Sequence, residues 1–125
     1  MIRLVINVNK LTLTLLNDSN PIKTYRICAG KPSTPTPRGD FIIVNKAVNP
    51  GGPFGARWLG LNVPFGDYGI HGTNNPYSIG KYLSNGCVRM FNNDVINRWP
   101  GRSPKDPCFT DSSLNSDIPS DSPSG

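Results

Sequence analysis

The sequence predicts a mostly β domain with one or two short helices, and three observations carry that expectation. The first half of the chain runs in short β-branched or alternating segments. With 13 glycines and 13 prolines, turns interrupt it too often for a helix bundle. A length of 125 residues with 36% hydrophobic content supplies one modest core and no more than one domain.

The elements follow in order. IRLVINV at 2–8, LTLTLL at 11–16 and IKTYRIC at 22–28 are separated by NK and by the polar turn NDSNP, and they read as consecutive antiparallel strands. The loop GKPSTPTPRGD comes next; its prolines favour extended backbone and exclude a helix. FIIVNK at 41–46 resumes a strand, and the Gly/Pro-rich NPGGPFGARW crosses as a long loop toward WLGLNV at 58–63. YGIHG at 68–72 is a strand ending in a histidine. In NPYSIGKYL, Asn75 as cap and Pro76 at the first helical position predict a helix start. A second capped turn is expected from Asn92, with Asp94 near its start where the helix dipole favours an acid.

After Asn97 the composition changes. Residues 98–125 hold five prolines, seven serines and four of the eight aspartates, too little apolar surface to offset ordering, so this tail is expected to be disordered. The folded domain is then 1–97.

Charge and cysteine usage narrow the function. The net charge of +5 arises from 13 Lys and Arg against 8 acids, all of them aspartate, so paired-carboxylate chemistry is poorly supplied. The basic residues are scattered singly, without the cluster or stripe of a nucleic-acid surface; an anionic polymer or a carboxylate-bearing substrate suits them as well. The three cysteines, Cys28, Cys87 and Cys108, form no complete disulfide framework and lack zinc-finger spacing, and no metal site or cofactor is expected. No run has membrane-spanning length, so no membrane insertion is expected, and no signal peptide is visible.

The chemistry concentrates in HGTNNPYSIGKYLSNGCVRM, from His71, the only histidine, to Met90. A thiol becomes a strong nucleophile when a neighbouring imidazole takes its proton. Cys87 follows a flexible Asn-Gly that lets the backbone turn and expose sulfur. Gly72 and Gly86 leave room for substrate backbone, and amides near Gly86 and Cys87 are candidate oxyanion donors. Spacing alone leaves other readings open: a buried cysteine, a satisfied polar histidine, or zinc.

The stretch resembles the signature of the L,D-transpeptidase catalytic domain, the YkuD-like family: His-Gly, a gap, then Ser, a variable residue, Gly-Cys, an aliphatic residue and Arg. His71, Gly72, Ser84, Gly86, Cys87, Val88 and Arg89 carry the match. Upstream, TPTPRGDF and NPGGPFGARW look like the approach to this site in Bacillus-type members, so the resemblance covers residues 2–97.

The resemblance implies a small β-rich catalytic domain and cysteine acyl transfer on peptidoglycan stem peptides. Cys87 would attack the third residue of a tetrapeptide stem, expel the terminal D-alanine as a thioester forms, and pass the acyl group to a neighbouring amine as a 3→3 cross-link. Water as acceptor would give an L,D-carboxypeptidase. His71 would act as base and then acid, oriented by a main-chain carbonyl, with Gly72 the candidate. Arg89 would meet a carboxylate or carbonyl of the substrate, against a purely structural ion pair. Ser84 would brace the loop that aims Cys87 or satisfy a turn, and Tyr68 and Trp58 would wall the groove or belong to the core. The implied protein is a monomer working outside the membrane, in the cell wall or spore envelope.

Two departures from the family pattern stand out. Asn85 replaces the histidine that many members carry before Gly-Cys. Past residue 97 a Pro-x-Gly-Thr and closing strand are expected, but PKDP and a polar tail follow, implying a domain without that strand and with an exposed sheet edge. A cysteine peptidase acting on proteins and a degenerate, non-catalytic wall-binding domain are the competing functions.

Overall fold

The computed structural model describes residues 2–96 and 107–110. Strands β1 (Ile2–Asn7), β2 (Thr12–Asn17) and β3 (Asn20–Arg26) form the expected antiparallel meander. Two very short strands not anticipated from the sequence, β4 (Ala29–Gly30) and β8 (Tyr82–Ser84), pair in parallel as a separate ribbon. The long β5 (Gly39–Val48) turns through a 3-10 turn at Gly52–Phe54 into β6 (Arg57–Leu61), which pairs with β7 (Tyr68–His71). β7 in turn pairs in parallel with β9 (Val88–Arg89), and α1 (Asn92–Ile96) follows.

The helix expected from Asn75 shrinks to one 3-10 turn, Pro76–Ser78. Asn75 makes no side-chain cap, Ile79 is already extended, and Gly80 lies at φ +91°, so the backbone leaves the helical region before a second turn forms.

The expectation of a disordered tail does not hold for Pro107–Thr110, which form β10. This strand lies between β1, to which it is parallel, and β5, to which it is antiparallel. Composition averaged over the tail hides it, because the strand is only four residues long; Cys108 and Thr110 are its buried positions. The remainder of 97–125 falls outside the described residues. The sheet therefore runs β3-β2-β1-β10-β5-β6-β7-β9.

Apolar side chains from most of these strands meet in one core, including Leu4, Ile6, Leu13, Leu15, Ile43 and Ile70, all fully buried. β1 is fully buried at Leu4, Val5 and Ile6, so side chains on both faces of this strand are covered. The sheet also curls until its ends meet. Cys28, just past β3, exchanges main-chain hydrogen bonds with Arg89 of β9 at 2.9 Å in both directions.

Ending the chain before Pro107 is expected to remove one of the two partners of β1 and of β5. Each ladder bond lost is worth about 1 kcal/mol, and the total stability of a domain is about 5–15 kcal/mol. The truncated chain should lose its cooperative thermal transition in circular dichroism; a sharp transition like that of the full chain would show that β10 contributes little.

Candidate active site

The sheet places His71 and Cys87 on one face. β7 and β9 run in parallel with Ile70 opposite Val88 and His71 opposite Arg89. Side chains alternate along a strand, so Ile70 and Val88 point into the core while Gly69, His71, Cys87 and Arg89 share the other face. Cys87 sits one residue before the ladder, where the Gly69 main chain hydrogen-bonds its sulfur. Its thiol also donates toward the Asp67 carbonyl at 3.9 Å.

His71 is 4% exposed. Trp58, its register partner on β6, stacks on the imidazole with centroids 5.7 Å apart, and Phe54 from the 3-10 turn meets the ring edge-on at 5.2 Å. Nδ1 hydrogen-bonds the Gly72 carbonyl, which can only accept. The proton must then sit on Nδ1, and Nε2 keeps its lone pair.

Burial sets the protonation states. It lowers the His71 pKa below 6.5, with the Gly72 hydrogen bond acting against it and the Arg89 charge adding to it. Burial likewise pushes the Cys87 thiol above 9.0, opposed by the Gly69 hydrogen bond and Arg89 and reinforced by Asp67. Both groups are neutral at rest near pH 7.

The loop carrying Cys87 is braced by Ser84, which is buried. Its hydroxyl donates to the Cys87 carbonyl at 2.6 Å and accepts from the Gly86 N–H at 3.1 Å. The Gly86 N–H, expected as an oxyanion donor, is thus committed to Ser84. Gly86 itself stands at φ +121°, and a Cβ there would collide with the Tyr68 ring, so this corner requires glycine.

A groove of about 480 Å³ opens beside Cys87, walled by Trp58, Tyr68, Phe54 and Asn45, with Asp67 the one carboxylate among the described residues of its lining. Trp58 is held by its indole N–H, which donates to Asn45 Oδ1 at 3.0 Å. Tyr68 and Trp58 therefore line the groove, and Trp58 also covers the His71 ring. Arg89 is half-buried with its main chain bound to Cys28, and its charge is felt by both His71 and Cys87. Cys28 and Cys108 are fully buried, and the Cys108 thiol is pushed up to about 12. No group of three metal-ligating side chains occurs among the described residues, nor any helix long and apolar enough to cross a membrane.

Two residues at the site were not singled out in the sequence. Phe54 lies in a loop read only as Gly/Pro-rich. The sequence marks Asn92 as a helix cap, but its amide reaches Ala56 and Thr73 beside the histidine.

A curled sheet that carries a thiol at a groove and a tautomerically fixed imidazole on the same face is an arrangement suited to a catalytic domain. The sequence matches the L,D-transpeptidase catalytic domain family (YkuD) over residues 2–100, and the chain belongs to that family. It is 55% identical over 94 residues to the YkuD protein of Bacillus licheniformis, which covers 75% of this chain and 56% of that protein. With the YqjB protein of Bacillus subtilis it shares 42% identity over 106 residues, 71% of this chain and 60% of the relative. The chain thus spans a little over half the length of these relatives. Among solved structures, an L,D-transpeptidase from Mycobacterium smegmatis superposes with a TM-score of 0.73 at 21% identity, over 89% of this chain and 58% of that one. The L,D-transpeptidase LdtMt1, solved in complex with imipenem, gives 0.70 at 18%, over 87% and 58%. At such identities the likeness is one of fold.

Proposed function

We propose that the chain is a cysteine-dependent L,D-transpeptidase acting on peptidoglycan stem peptides, with Cys87 as nucleophile and His71 as base. The observation that carries this reading is the Nδ1 hydrogen bond to Gly72, which leaves Nε2 of His71 basic on the face it shares with Cys87.

Because burial keeps both groups neutral, the proton moves as the bond forms rather than before it. Sγ attacks the carbonyl carbon of the third stem residue while His71 Nε2 takes the thiol proton. The Cys87 N–H stabilises the oxyanion, since the Gly86 N–H is engaged with Ser84. Collapse breaks the C–N bond; D-alanine leaves with the proton from His71, and a thioester remains. An amine of a second stem attacks it, His71 takes a proton from that amine, and the C–S bond breaks as the sulfur regains a proton. The product is a 3→3 cross-link. Arg89, at the same face, pairs with a carboxylate or carbonyl of the stem. Such a substrate lies outside the membrane, and the proposed place of action is the cell wall or spore envelope, as a monomer without cofactor.

The test is incubation with disaccharide-tetrapeptide, read by mass spectrometry. Release of D-alanine together with tripeptide-linked dimer is expected. Tripeptide without dimer would make water the acceptor and the enzyme a carboxypeptidase. Neither product, with binding to sacculi retained, would reject the enzymatic reading.

A further inference from the structure

We infer that Asn92 is a positioning residue that fixes the tautomer of His71 by clamping the peptide unit joining Gly72 and Thr73. A peptide unit is planar, so its carbonyl and N–H turn together. The carbonyl of this unit takes His71 Nδ1, and its N–H, on Thr73, donates to Asn92 Oδ1 at 3.1 Å. Holding one end of the plane holds the other.

The same side chain does two more things. Its Nδ2 donates to the Thr73 carbonyl at 3.1 Å, which fixes the next peptide as well. Its Oδ1 also accepts from the Ala56 N–H at 3.0 Å, and Ala56 closes the loop whose Phe54 packs edge-on against the imidazole. One amide group therefore holds both supports of the base: the acceptor on Nδ1 and the loop that shields its ring. The backbone is cut to fit it, since a Cβ on Gly55 or on Gly72 would collide with the Asn92 amide. On the far side Gly72 is anchored through its N–H to the Arg57 carbonyl at 3.1 Å, so Asn92 supplies the remaining constraint. Without it the 72–73 peptide is free to rotate, Nδ1 loses its acceptor, and the proton distributes over both ring nitrogens. Nε2 then carries the lone pair only part of the time.

This inference rests on His71 being the base, but its primary readout does not need substrate. The chain has one histidine, so its ¹⁵N spectrum reports a single imidazole. In the full-length protein, wild type should show the Nδ1–H tautomer. Asn92→Ala and the near-isosteric Asn92→Leu, which fills the space without hydrogen bonds, should show a mixture of tautomers and acylate with imipenem about 10–100-fold more slowly. Asn92→Asp keeps the oxygen that accepts from Ala56 and Thr73, and should retain the Nδ1–H signature; Asn93→Ala, on the same helix, should match wild type. Folded Asn92→Ala or Asn92→Leu with an unchanged tautomer would overturn the inference. If neither folds, Asn92→Asp decides: a tautomer mixture in that variant would equally overturn it, because the oxygen would not be what holds the peptide. A tautomer governed by Asn92 in a protein that imipenem never acylates would leave the positioning role standing and remove the acyl-transfer reading.

Discussion

Cys87→Ala is expected to abolish covalent capture of a carbapenem completely. The wild-type chain incubated with imipenem should gain the mass of a single adduct, and the variant should gain none. The expectation is sharp because no other thiol can take over. Cys28 and Cys108 are fully buried, and a thiol held at about 12, as Cys108 is, carries almost no thiolate at neutral pH. Cys87 alone lies against the groove, with its sulfur poised beside the Gly69 main chain. Truncation to alanine there removes a half-buried side chain at the groove wall and disturbs no core residue, so the folded state should survive. An adduct that persists in Cys87→Ala would place the nucleophile elsewhere and remove the basis of the mechanism.

His71→Ala should slow acylation by about 10²–10⁴-fold, the usual worth of a positioned general base. The residual rate should depend on pH differently. In wild type the rate falls on the acid side as His71 is protonated, at a pH below 6.5 because burial lowers its pKa. That limb disappears in the variant, whose rate should instead climb steadily with pH toward the raised thiol pKa. Stability carries the same signature. The folded pKa of His71 lies below the unfolded value of 6.5, so the unfolded chain takes up the proton first as the medium is acidified. The stability associated with the neutral imidazole is present above pH 6.5 and is lost as pH falls through the lowered pKa. The melting temperature of wild type should therefore drop on acidification below pH 6.5 more steeply than that of His71→Ala. Equal slopes would mean that the imidazole is not buried in its neutral form.

What could be read in the sequence depended on length and on reach. Strands β1, β2, β3, β5, β6 and β7 announce themselves through alternation over four or more residues, and their observed bounds differ from expectation by a few residues at most. β4, β8 and β9 have two or three residues each, too few for any period to show; they exist because neighbouring segments bring a partner to them. Pro107–Thr110 vanished into the average of a polar tail. At the site, the motif exposed His71, Cys87, Gly86 and Ser84 because they lie close together along the chain. Phe54 and Asn92 act across long stretches of sequence, and nothing local marks them. The caps read at Asn75 and Asn92 show the limit of local rules: a short polar side chain serves whichever backbone groups tertiary structure presents, and for Asn92 those belong to Ala56 and Thr73.

The pair of hydrogen bonds between Cys28 and Arg89 has a bearing on how the protein acquires its activity. It joins the segment carrying Cys87 to the end of the first meander, two stretches far apart in the chain. Topologies dominated by such distant pairings fold slowly, in milliseconds to seconds, and complete their long-range contacts late. Cys87 and His71 are therefore expected to come into register at the close of folding, together with the barrel-like seam itself. Refolding followed by rapid quenching with imipenem should then show adduct appearing with the slowest phase, so that the labelled fraction counts chains that have reached the native state.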